Sequence, residues 1–154
     1  FAVDYNASGA AVRFVLPYRF RRRLQRCGAY GRFLPFVQQE STFWRRELMQ
    51  RVDFDRLSRL RLAGDHYLWR CFAEIAELHV VAAYLGGFRF QPGQQSENLA
   101  AYLGEMRSLA AAPGPVDFAL MLCDLTLWHA PPAVKKMLNP RRLHLFDQRA
   151  GRWD

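Results

Sequence analysis

Proline and glycine cut this chain into short pieces, and that limits what it can build. Gly28, Gly31, Gly86-Gly87, Pro92-Gly93, Pro113, Pro115, Pro131-Pro132 and Gly151 stand between apolar blocks. Each breaks or turns a helix or strand. The longest uncharged stretch, Leu78–Phe88, is interrupted by His79 and two glycines. It falls well short of the roughly 18 apolar residues of a membrane span. FAVDYNASGAAVRFVLP predicts two short strands around a turn made by Asp4, Asn6, Ser8 and Gly9, closed by Pro17. RFRRRLQR, with Phe20 and Leu24 four apart, predicts a short helix. Strand propensity follows at Phe33–Val37.

Further along, the spacing of Phe43, Leu48 and Val52 predicts a helix over 42–52, opened by Ser41-Thr42. A loop is expected over 53–62, and a second helix over 65–76 with Leu68, Phe72 and Ile75 on one stripe. The blocks 78–81 and 85–90 read as strands lying beside 33–37. A helix over 96–111, capped by Ser96, should bury Leu99, Leu103 and Met106. A further helix is expected over 117–128. The end reads as a strand, a turn at Gly151 and an aromatic anchor. This mixture is an α/β chain.

At 154 residues there is room for one domain, and 51% hydrophobic residues suffice for a core. Three cysteines, Cys27, Cys71 and Cys123, are too few and too spread for a disulfide framework or zinc cluster. They read as reduced thiols of a cytoplasmic protein. The four histidines show no ligand spacing; His79, in an apolar block, reads as core and His66 as surface. Residues 13–61 hold 13 arginines and four acids, which concentrates most of the net charge of +8. Interleaved Phe14, Tyr18, Phe20, Tyr30 and Phe33 would suit a nucleic acid, but no recognised motif accompanies them. No nucleic-acid partner is therefore expected. YRFRRRLQR also suits an anionic membrane surface, as well as a simple solvated basic face.

Three segments in order carry a resemblance: FVQQESTFWRRELM, AGDHYLWRCFAEIAELHVV and LGGFRFQPGQQS. Over about 33–96, and more loosely over 1–111, they resemble the carboxyl-terminal half of family 2 glycosyltransferases. The resemblance implies a GT-A (nucleotide-diphospho-sugar transferase) fold, a mixed sheet flanked by helices. Residues 1–112 would be the acceptor-side half of that domain and 113–154 a helical and extended extension. The donor half, with its DxD-type metal motif, would lie upstream of Phe1. Asp53-Phe54-Asp55, after the WRR segment, stands in the wrong place to be that motif.

The same resemblance assigns roles. Asp65 would be the general base that takes the acceptor hydroxyl's proton; as a helix-start residue it also suits a cap, and both can hold. A helix N-terminus would keep its carboxylate ionised. Gln38, Gln39, Glu40 and Trp69 would line the acceptor pocket; Trp69 suits core packing equally. Arg45, Arg46, Gln91, Gln94 and Ser96 would face the diphosphate, Arg having the planar fork for it. Gln91 stands where the family commonly has His, and Gln is a poor metal ligand. A divalent metal (Mg or Mn) is thus expected only with the upstream half. The implied partners are a nucleotide-diphospho-sugar donor and a saccharide or lipid-linked acceptor, at the cytoplasmic face of a membrane. The alternative is a non-catalytic module binding a saccharide or an anionic polymer.

Overall fold

The computed structural model describes residues 2–94 and 97–153. Strands β1 (Ala2–Tyr5) and β2 (Ala11–Val15) form an antiparallel hairpin in which Val3 faces Phe14 and Asp4 faces Arg13. Asn6 builds the turn: its Oδ1 accepts from Ser8 Oγ at 2.7 Å and from Ala10 N at 2.9 Å. Gly9, at φ 85°, takes the left-handed position.

Two further strands are short. β3 (Val80–Val81) pairs in parallel with β5 (Leu143–His144), and β4 (Phe88–Arg89) pairs in parallel with β1. A terminal hairpin joins β6 (Phe146–Asp147) to β7 (Arg152–Trp153) around Gly151, with Trp153 edge-on to Phe146. The chain is therefore mixed α/β with small sheets. The expected pairing of 78–90 with 33–37 is not formed. Pro35 has no amide hydrogen to give a ladder, and 31–37 is a turn with one isolated bridge, Tyr30 to Leu34.

The helices are α1 (Arg22–Arg26), α2 (Phe54–Ser58), α3 (Gly64–Ala73), α4 (Leu99–Leu109), α5 (Pro115–Trp128) and α6 (Pro132–Leu138). The helix expected over 42–52 is instead a 3-10 turn over Arg46–Arg51, preceded by another over Gln39–Ser41. The hydroxyl of Thr42 donates back to Gln38 O, and Arg45, in extended conformation, stands at the start of the turn that forms instead. A 3-10 turn brings residues three apart into line, which directs Met49 and Val52 to the core together. The loop expected over 53–62 contains α2, because Asp53 Oδ1 accepts from Arg56 N and supplies an N-cap. Asn98, not Ser96, caps α4, accepting from Ala101 N; Ser96 lies outside the described residues. Of the expected α4 stripe, Met106 is buried and Leu103 half-buried, while Leu99 is exposed. Leu109 takes its place in the core.

The main core gathers Leu24, Tyr30, Leu68, Phe72, Met106 and Met121, drawn from α1, the turn that follows it, α3, α4 and α5. Leu16, Val80 and Leu143 form a second cluster. Residues 115–144 contribute to both. α1 and α5 are joined by ion pairs, Arg21 to Asp124 and Arg23 to Asp117. Asp117 Oδ2 also accepts from Gly114 N at the start of α5. Lys135, buried, donates its Nζ to Leu16 O and Trp128 O, and Asn139 Nδ2 donates to Tyr18 O. These bonds fasten α6 to the chain that leads from β2 into α1.

Gly86 is required by close approach. A Cβ there would overlap the Glu40 carbonyl oxygen, which is backbone and cannot swing aside. Gly86→Ala is expected to destabilise the fold by about 1–3 kcal/mol. The measurement is a denaturant midpoint; an unchanged midpoint would contradict the contact.

Candidate functional site

Asp65 is the second residue of α3, and Ala63 occupies the N-cap position. The carboxylate is therefore not the helix cap. Its Oδ1 accepts from His66 N at 2.7 Å and from the Tyr102 hydroxyl at 2.9 Å. Both of these bonds fall on the same oxygen, Oδ1. Burial pushes the Asp65 carboxyl above the usual carboxylate range and outweighs the hydrogen bonds from the His66 amide, the Tyr102 hydroxyl and its own amide, with the nearby Glu40 charge adding to the rise. Such a carboxylate is a stronger base than a solvated one. Tyr102 is itself pushed well above the usual phenol range, by burial and by Asp65, so it stays a donor.

Asp65 lies on the wall of a cavity of about 1080 Å³. Gln38, Gln39, Glu40, Gln91 and Gln94 share that wall, so the structure gathers six of the ten residues singled out in the sequence. The ring of Phe36 packs edge-on to Tyr102, and Phe88 packs edge-on to Phe90, which gives the cavity two aromatic surfaces. Arg13 and Asp4 form an ion pair at its rim, 2.6 Å apart. Not all of the polar groups are available to a ligand. Gln38 Nε2 donates to Asp4 Oδ1 at 2.8 Å and to Val3 O at 3.3 Å, and its Oε1 accepts from Val3 N. Gln94 closes its own turn: its Oε1 accepts from Gln91 N and its Nε2 donates to Arg89 O. Gln39 and Glu40 are exposed on the 3-10 turn.

Trp69 and Arg45 lie elsewhere. They line a second cavity of about 480 Å³, with Trp44, Phe72, Arg22 and His79. Trp69 is buried, edge-on to Trp44 at 5.5 Å, and belongs to the main core. Position 69 shares the helix face of Asp65 but stands one turn, about 5.4 Å, further along the axis, where it meets Trp44 and Phe72 and not the first cavity. Arg46 is exposed and lines neither cavity.

Two residues that hold the site were not singled out. Tyr102 and Glu105 lie three apart on α4 and so share a face. Tyr102 holds Asp65. Glu105 accepts from the amides of Arg61, Leu62 and Ala63, the residues that lead into α3, and these bonds hold its carboxyl below the usual range. Tyr102 reads in the sequence only as one more apolar-stripe residue. An acid three residues after a stripe tyrosine was the available signal.

The two histidines reverse their expected places. His79 is exposed and stacked on His144, with Nδ1 2.9 Å from His144 Nε2. β3 turns Val80 inward instead. His66 is buried beside Asp65, and its Nε2 has no partner among the described residues. Burial, followed by Arg70 and Arg32, pushes it down to about 4. Its folded value is thus depressed below an ordinary 6.5, so neutral His66 favours the fold and protonation favours unfolding. Stability is full above about 6.5 and declines as pH falls towards 4, by about 3 kcal/mol in total. Thermal melts from pH 7 to 4 should show this slope in the wild type and a flatter one in His66→Gln.

Among the described residues no group of three or more His, Cys, Asp or Glu side chains is placed to hold a metal ion. No described helix is long and apolar enough to cross a membrane. Comparison of the chain with protein-family models, curated proteins and solved structures finds no match.

Proposed function

We propose that this chain is the acceptor side of an inverting, GT-A-type glycosyltransferase of family 2. Its donor would be a nucleotide-diphospho-sugar and its acceptor a saccharide or lipid-linked saccharide of a cell-surface polysaccharide. The observation that carries the reading is Asp65, a half-buried carboxylate of raised basicity held by Tyr102 on the wall of a cavity large enough for a sugar. The three ordered motifs of the sequence support it. In the reaction the acceptor hydroxyl oxygen forms a bond to the anomeric carbon. The bond from that carbon to the diphosphate oxygen breaks, and the nucleoside diphosphate leaves with the electron pair. Asp65 takes the hydroxyl proton.

Tyr102 and the His66 amide both hold Oδ1 and so fix the carboxylate. Phe88, Phe90 and Phe36 offer apolar faces to the sugar ring, and Gln39 and Glu40 offer hydroxyl partners. The donor diphosphate and a divalent metal, which would neutralise the leaving group's charge, belong to a donor-binding half outside these residues. Arg45 and Arg46, away from the first cavity, are not part of this reading.

The test is transfer by the enzyme with its donor half, using nucleotide-sugars and saccharide acceptors, with product anomers assigned by NMR. An inverted product whose formation depends on Asp65 supports the reading. A retained anomer, or saccharide binding undisturbed by Glu40→Ala and Phe90→Ala, argues against it.

A further inference from the structure

The polarity of α5 is turned inside out. Its buried stripe is Asp117, Met121, Asp124 and Trp128, at helical spacing. Both carboxylates point inward and are bonded by arginines of α1 and the residue before it, Arg23 and Arg21. The outward face is apolar: Val116, Phe118, Leu122 and Leu125 are 58%, 50%, 65% and 42% exposed. Thr126 is the one residue on that face with a polar side chain besides a thiol. Its hydroxyl donates to Cys123 O, so it asks nothing of a partner. A surface helix normally does the reverse, burying its apolar stripe and showing its charges.

The surroundings of that face are cationic. Phe118 packs edge-on to Phe33, 5.7 Å between centroids, and the Arg32 guanidinium lies over the Phe33 ring. Arg23, with more than half its side chain exposed, flanks the other contact. Residues 5–39, which include α1 and this turn, hold seven arginines and no carboxylate; Arg13, Arg21, Arg23 and Arg26 pair with acids elsewhere in the chain, Arg23 with more than half its side chain still exposed, and Arg32 lies over Phe33. The two acids of α5 are neutralised internally. An apolar strip edged by arginines complements a surface with anionic headgroups over hydrocarbon.

We infer that α5 is the seat of this protein on an anionic lipid surface, lying flat with Phe118, Leu122 and Leu125 below the headgroups and Arg23 and Arg32 among them. A helix of 14 residues is about 21 Å long, shorter than the roughly 30 Å of a bilayer core, so it lies in the interface and does not span. A second copy fits less well: a two-fold contact on α5 would bring one arginine rim against the other. A specific protein partner also fits less well, since protein interfaces carry about one hydrogen bond per 100–200 Å² and this face offers none. The amphipathic candidate in the sequence, YRFRRRLQR, is not the inserting element. Leu24 is fully buried, and Arg21 and Arg26 of that segment are tied to Asp124 and Glu74.

The experiment is co-sedimentation of the chain with phosphatidylglycerol-containing vesicles and with pure phosphatidylcholine vesicles. Binding is expected to the first, weakening as salt rises, and to be much weaker to the second. Leu122→Glu together with Leu125→Glu should lower vesicle affinity by at least about tenfold. Arg32→Glu should lower it several-fold and reduce its salt dependence. Melting curves confirm that the variants fold; if the acidic pair does not fold, Leu122→Ser carries the same test without added charge. Absence of binding to the anionic vesicles overturns the inference. So does equal binding by the α5 variants, or a solution dimer that Leu122→Glu dissociates, which would make the face a contact between copies.

Discussion

Asp65→Asn is expected to slow sugar transfer by about 10²–10⁴ while the protein stays folded. The asparagine keeps the shape of the side chain and can still accept from the His66 amide and the Tyr102 hydroxyl. What it cannot do is take a proton. The stability side has a definite sign. Burial raises the folded pKa of Asp65, so its ionisation opposes folding as pH rises past the unfolded value. Removing the charge should therefore leave stability at neutral pH unchanged or slightly higher. Donor binding, which does not involve this residue, should be unaffected. A folded variant turning over within about threefold of wild type, against that general-base range, would remove Asp65 from the chemistry. Tyr102→Phe gives a milder companion: it keeps the ring packed on Phe36 but frees the carboxylate, so the rate's acid limb should move while binding changes little.

The second large effect lies far from the cavity. Asp124 is fully buried, and Arg21 reaches it with both Nε and Nη2 at 2.8–3.0 Å. Arg21→Met leaves that carboxylate without its cation, and the fold should lose about 3–5 kcal/mol. Arg21→Met with Asp124→Leu replaces the pair by apolar groups of similar volume and should recover most of the loss. Urea titration of the three proteins measures both. If the single variant is as stable as the double, the pair is not the joint between α1 and α5.

Local signals were readable where the turn or cap is carried by one side chain. The β1–β2 hairpin is written in Asn6 and Gly9, the start of α3 near Gly64 and Asp65, and the last hairpin in Gly151. Partnerships between distant segments were not. That β4 adds to β1 and β3 to β5 depends on contacts more than fifty residues apart, and two-residue strands carry no alternation to read. α6 was hidden by Pro131-Pro132, which reads as a break but places a proline at the first helical position, where it is tolerated. The cavity residues were legible as a set because the three motifs lie in order. The division between cavity wall and structural tie was not. Trp69 could be assigned to the core, and Gln38 to a backbone bond, only with neighbours in place.

Gln38 shows what such a tie entails. Its side-chain amide offers a donor and an acceptor to the main chain of Val3, as a neighbouring strand would. β4 begins its pairing only at Asp4, so without this side chain the Val3 N–H would stand bare on that side. Unpaired main-chain groups of this kind are where foreign strands add and chains aggregate. A residue that reads as a sugar ligand is thus a one-residue substitute for a strand, closing a sheet edge against unwanted growth while it forms the wall of the cavity.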